Sequence, residues 1–134
     1  MPELQGTDTH HNLELAFARE AEAAMRYRFF AQQADIEGEP KTAALFRSLA
    51  DGATGHALGH LELLTEVGDP ATGLSVVEVS GAVRSASISE RADHLDLYPS
   101  FAAEARDEGF TEVAEWMEAL ARADHADRLK AATD

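Results

Sequence analysis

Apolar residues recur at three- and four-residue steps along nearly the whole chain, and three short stops, "EGEP", "VGDPATG" and "DEGF", divide the pattern. A 3.6-residue period punctuated by Gly and Pro predicts four helices. Helix A is expected over about 13–36, after the polar "GTDTHHN". Helix B is expected over about 41–67, just after Pro40. Helix C is expected over about 81–107 and contains Pro99, which should kink or split it. Helix D is expected over about 111–131. The A–B and C–D connections are short, so each pair should form an antiparallel hairpin. With 134 residues the chain is expected to be one domain, 1–134. The fold class is all-α: a four-helix bundle of two helical hairpins joined by a long crossover.

The crossover, about 68–79, carries two competing signals. "SVVE" at 75–78 has the form of a capping box. Val76, Val77 and Val79 are β-branched and suit an extended stretch, the preferred reading. About 12 extended residues span roughly 40 Å, the length of a 27-residue helix. Such a connection either runs the length of a bundle within one chain or crosses to a second subunit and swaps a helix pair.

Charge and composition narrow the function classes. The formal net charge is −14, from 25 acidic and 11 basic residues. Such a surface repels nucleic acid and anionic lipid, so neither is an expected partner. No purely apolar run is long enough to span a membrane. The start, "MPELQGTDTHHNLEL", lacks a basic region and an apolar segment, so no secretory signal is expected and the cytoplasm is the expected location. There is no cysteine, which excludes thiol chemistry, disulfides and iron–sulfur clusters.

The apolar seams are not purely apolar. In helix A the seam passes Leu13, Phe17 or Ala16, then Glu20, Ala24, Tyr27 and Phe30. In helix B it passes Leu45, Leu49, Gly52 or Ala53, His56, His60 and Leu63. In helix C it passes Val83, Ala86, Glu90, Asp93 and Leu97, and in helix D Val113, Met117, Leu120, Asp124 and Asp127. Every seam therefore carries an ionisable residue. An unpaired buried carboxylate costs several kcal/mol or loses its charge. Clustered carboxylates and imidazole are most often compensated by a hard or borderline cation. Four-helix bundles host such sites, with a Glu from two helices and a Glu-x-x-His from the other two.

With those residues placed, the chain resembles the rubrerythrins, a ferritin-like family. "LAFAREAEAAMRYRFFAQQADIEGEPKTAALFRSLAD" and "GHALGHLELLTEVGDPATG" resemble the family's first two helices, and "YPSFAAEARDEGFTEVAEWMEALARAD" its last two. The resemblance implies a ferritin-like bundle, a diiron centre and reduction of hydrogen peroxide. It implies metal ligands at Glu20, His56 and Glu90, with Asp93 where a second Glu is usual. Asp124 stands for the helix D Glu and Asp127 for its His in an ungapped alignment; a two-residue gap would put His125 there instead. Tyr27 and Tyr98 correspond to tyrosines near the centre that donate hydrogen bonds to it. His94 adjoins Asp93 and could turn toward the same place. His10 and His11 are expected on the surface before helix A.

The departures matter as much as the matches. Ala53 occupies the place of the helix B Glu that bridges the two irons. Asp is one methylene shorter than Glu wherever it substitutes. The rubredoxin module of many family members needs cysteines, so electrons would come from an external donor. Two functions follow. One is a peroxidase-like oxidoreductase with a modified carboxylate/His site for iron, or for manganese or another divalent metal. The other is a metal-free or repurposed member serving as a small-molecule-binding or structural module, where Gly52, Gly55 and Gly59 leave room beside helix B or permit close helix packing. A homodimer, closed or helix-swapped, is expected.

Overall fold

A computed structural model describes residues 2–123. Every regular element among them is helical: α1 (Asp8–Ile36), α2 (Pro40–Leu64), α3 (Val79–Ala92), a π-helical segment (Asp93–Leu97), α4 (Tyr98–Asp107) and α5 (Thr111–Arg122). The chain divides into two compact units at Pro70/Ala71, one for each hairpin.

The first unit is the α1–α2 hairpin. Its first helix begins earlier than the apolar pattern suggests, because Thr7 caps it. The Thr7 side chain accepts the His10 amide at 3.1 Å, and His10 Nδ1 accepts the Gly6 amide at 3.0 Å. His10 and His11 therefore lie within α1 rather than before it. The helix ends where Gly38 takes φ +75° and the Glu39 amide reaches back to the Ala34 carbonyl at 2.9 Å. Pro40 then opens α2, where its missing N–H is not needed.

The two helices meet through alanine. Ala24, Ala31 and Ala34 of α1 and Ala43, Ala50, Ala53, Ala57 and Leu64 of α2 are buried. These positions recur at steps of three, four and seven, as an interface seam should. Small side chains let the helix axes approach closely. The seam expected for helix B is therefore displaced. Leu45, Leu49 and Leu63 are 57%, 44% and 62% exposed, and His56 is exposed with them. The alanine row, not the larger row beside it, carries the hairpin contact.

The second unit begins in the crossover. That connection is not one extended run: residues 70–72 turn and Gly73 has φ +75°. Thr72 Oγ1 hydrogen-bonds Ser85 Oγ, and Ser85 is fully buried. The backbone is extended again at Glu78, which precedes α3 without a side-chain cap, so "SVVE" does not act as a capping box. Gly81 is needed there, because a Cβ would collide with the Ser75 carbonyl oxygen.

Helix C is divided before its proline rather than at it. Pro99 has no N–H to give the preceding turn. The Tyr98 amide instead reaches five residues back to the Asp93 carbonyl, and Asp93–Leu97 adopts the wider π spacing. The α4–α5 hairpin repeats the first one in miniature. Gly109 has φ +86°, the Phe110 amide bonds Ala105 at 2.8 Å, and Ala102, Ala105 and Ala114 are buried. Arg106 forks onto both carboxylate oxygens of Glu118, tying α4 to α5.

Candidate metal centre

The first hairpin brings two of the expected ligands together. His56 Nδ1 lies 3.2 Å from Glu20 Oε2, across the α1–α2 interface. The Glu20 side chain is 34% exposed and that of His56 is 70% exposed. Ala53, one turn before His56, faces the packed seam and is 6% exposed. No carboxylate can come from that position. His60, one turn beyond His56, is half-buried.

The Glu20–His56 spacing is that of a direct hydrogen bond and also that of two donors to one cation. Two ligand atoms each about 2.1 Å from an ion, and separated by roughly 100° at it, lie about 3.2 Å apart. A carboxylate oxygen and an imidazole nitrogen also suit borderline divalent metals. In the metal-free chain His56 Nδ1–H can donate to Glu20. With a cation bound, the same nitrogen must offer its lone pair, so the ring N–H moves to Nε2. The fit stops at two donors in this hairpin. The residues here do not fit an ion pair bridged from helix B.

Tyr27 is placed elsewhere on α1. It is seven residues from Glu20, about 10 Å along the helix. Its ring packs near Phe30 and Phe46, with centroids 6.4 and 6.2 Å away. Phe30 and Phe46 meet edge to face at 5.4 Å. The Arg26 guanidinium covers Tyr27 and Phe30 at 5.9 and 5.7 Å.

In the second unit, Glu90, Asp93, His94 and Tyr98 line one cavity of about 200 Å³ with Leu120 and Ala123. Asp93 and His94 open the π-helical segment and are both half-buried. His94 Nδ1 is buried with no hydrogen-bond partner. That is a costly state for a polar atom and marks His94 as more than surface. Asp96 is exposed, and it repeats the carboxylate-x-x-carboxylate spacing with Asp93. Asp124, Asp127 and His125 lie outside the described residues. Among the described residues no group of three or more His, Asp or Glu side chains is close enough to hold a metal ion.

The paired helical hairpins, their Gly-terminated turns and the carboxylate–histidine pair across α1 and α2 define an all-α protein of the ferritin-like class. The rubrerythrin family model matches residues 11–133. The chain is 36% identical over 126 residues to rubrerythrin-1 of Clostridium acetobutylicum, covering 85% of this chain and 63% of that protein. It is 33% identical over 134 residues to a rubrerythrin of Porphyromonas gingivalis, covering 96% and 67% respectively. It is 34% identical over 132 residues to a rubrerythrin of Nitratidesulfovibrio vulgaris, covering 92% and 67%. The chain belongs to the rubrerythrin family, and it spans about two thirds of the length of these relatives. No helix among the described residues is long and apolar enough to cross a membrane.

Proposed function

We propose that this protein is a metal-dependent oxidoreductase of the rubrerythrin type that reduces hydrogen peroxide at a modified carboxylate/His site. The observation that carries this reading is the 3.2 Å approach of His56 Nδ1 to Glu20 Oε2. It supports a cation held by an imidazole and a carboxylate from two different helices. The family resemblance implies ligands at Glu90 and Asp93 as well, and at Asp124 with Asp127 or His125. Iron is the family's metal, and manganese suits the same donors. Iron would supply the redox equivalents that cleave the O–O bond, two electrons and two protons converting one peroxide to two waters. Glu20 orients the His56 ring through the same contact. The loss of the residue-53 carboxylate favours fewer ions or weaker loading than a bridged pair. An external donor delivers the electrons, and the protein acts in the cytoplasm against oxidative stress, as a homodimer, closed or helix-swapped.

Elemental analysis after growth with added iron or manganese tests the proposal, together with peroxide consumption in the presence of a reductant. Bound metal that is lost in His56→Ala, along with peroxide turnover, is the expected result. Absence of both metal and turnover in the parent chain would overturn it. A second reading has its own support. A Cβ added at Gly52, Gly55 or Gly59 would meet nothing within 4 Å, so α2 has open space beside the site. A metal-free chain with an organic molecule bound along that face would favour a small-molecule-binding module instead.

A further inference from the structure

His56 and His60 stand four residues apart on α2, on adjoining turns of one helix. Side chains at that spacing start about 5–6 Å apart, so two imidazoles can reach one ion. They do so usefully only where a third donor stands on the same side of the helix. That condition is met within the first hairpin. Residues 53, 57, 60 and 64 follow one another at steps of four, three and four. Ala53, Ala57 and Leu64 of that row are buried, and His60 is its half-buried member. The row therefore faces α1, the helix that carries Glu20.

Direction matters as well as spacing. The Cα–Cβ bonds of a helix tilt toward its N-terminus, so a side chain covers the turn before its own. His60 thus leans toward the level of His56, where His56 Nδ1 is 3.2 Å from Glu20 Oε2. Among the described residues no hydrogen bond or ion pair holds the His60 side chain, so its ring can turn without breaking one. Three donors do not converge among the described residues in the metal-free chain. A rotation of the His60 side chain, with the backbone of α2 unmoved, is what brings the third to the pair.

The donors also set the number and kind of ion. Glu20 is the carboxylate that meets His56, and Ala53 offers none. Two dications against a single carboxylate would keep most of their charge unbalanced, whereas one dication is half neutralised. Carboxylates suit manganese and magnesium, while imidazole suits iron, zinc, copper and nickel. We propose that His60 completes, with His56 and Glu20, a one-ion site of two histidines and one carboxylate on the first hairpin, which takes a borderline divalent metal such as zinc, cobalt or ferrous iron in preference to manganese. This site rests on the reading that Glu20 and His56 hold a cation; His60 adds the third ligand and the metal class.

The test titrates cobalt into the full chain, with zinc as competitor and manganese as comparison, and reads the visible absorption of the bound cobalt. The tightest site should take one equivalent of cobalt and release it to zinc. His60→Ala and His60→Gln should each weaken that site at least about tenfold, the loss usual even for a residue behind a ligand. Both should also shift the visible band while circular dichroism stays unchanged. The loss should be several-fold smaller for manganese, which depends less on imidazole. Zinc should move the imidazole nitrogen resonances of His56 and His60 together, and leave those of His11, exposed near the start of α1, in place. Parent-like cobalt affinity and spectrum in His60→Ala, alongside lost binding in His56→Ala and Glu20→Gln, would overturn the role of His60 while the Glu20–His56 reading stands. Absence of binding in the parent, or unchanged binding in all three variants, would overturn both. An equal loss for manganese and cobalt in His60→Ala would overturn the metal class.

Discussion

Ala53 and His56 stand one turn apart on α2, yet they face different surroundings. Ala53 is 6% exposed in the alanine seam, whereas the His56 side chain is 70% exposed. A carboxylate restored at residue 53 would start from the packed interface between α1 and α2. Ala53→Glu is therefore expected to destabilise the metal-free chain by about 1–3 kcal/mol, the usual range for a polar group buried without a partner. If the Glu20–His56 pair holds a cation, added iron should return much of that loss, since ligand binding stabilises the folded state by mass action. Thermal unfolding with and without iron, compared with the parent chain, measures both effects. At His56 itself the prediction concerns protons. Protons compete with metal for imidazole and carboxylate donors, so affinity should fall as the solution is acidified, read by metal titrations at a series of pH values.

Two glycines on different helices behave oppositely, and the reason is local. Gly55 lies mid-helix in α2 with open space where a Cβ would go. Gly55→Ala should stabilise the chain by up to about 1 kcal/mol, the helix-propensity difference alone. Gly81 sits against the Ser75 carbonyl, so Gly81→Ala must displace the backbone of the crossover and should lower the melting temperature. On the second hairpin, Arg106 beside it holds the Glu118 carboxyl below its ordinary value. A carboxyl lowered in the folded state contributes stability above its unfolded pKa, and the contribution is lost as pH falls through the folded one. Acid unfolding of Glu118→Gln should thus be less steep at low pH than that of the parent. The sequence carried the helical class and the two hairpins legibly, because Gly38 and Gly109 close helices with positive φ and both turns sit in "EGEP" and "DEGF". It carried the α2 interface poorly. Large apolar side chains dominate any reading of periodicity, while Ala43, Ala50, Ala53 and Ala57 make the contact. It placed a disturbance at Pro99 but not its form. A proline removes a donor from the turn before it, and whether the helix kinks or widens into π spacing depends on neighbours that one element does not reveal. Glu20 and His56 were readable as a pair from spacing and resemblance. His94 was readable as a neighbour of Asp93 that could turn toward the same place, but the burial of its Nδ1 leaves no mark on sequence pattern.

At the scale of the whole molecule, charge decides which associations salt favours. The chain carries −14, so two copies repel at long range. The apolar side chains exposed on α2, Leu45, Leu49 and Leu63, offer the opposing attraction. In the proposed homodimer the two terms compete, and screening weakens only the repulsion. Self-association should therefore strengthen from low to moderate salt, read as a rise in sedimentation mass at fixed protein concentration. Leu49→Lys/Leu63→Lys should remove that rise while leaving helix content intact, because both side chains are exposed and outside the alanine seam. A sedimentation mass that falls with salt would reject apolar self-association through α2.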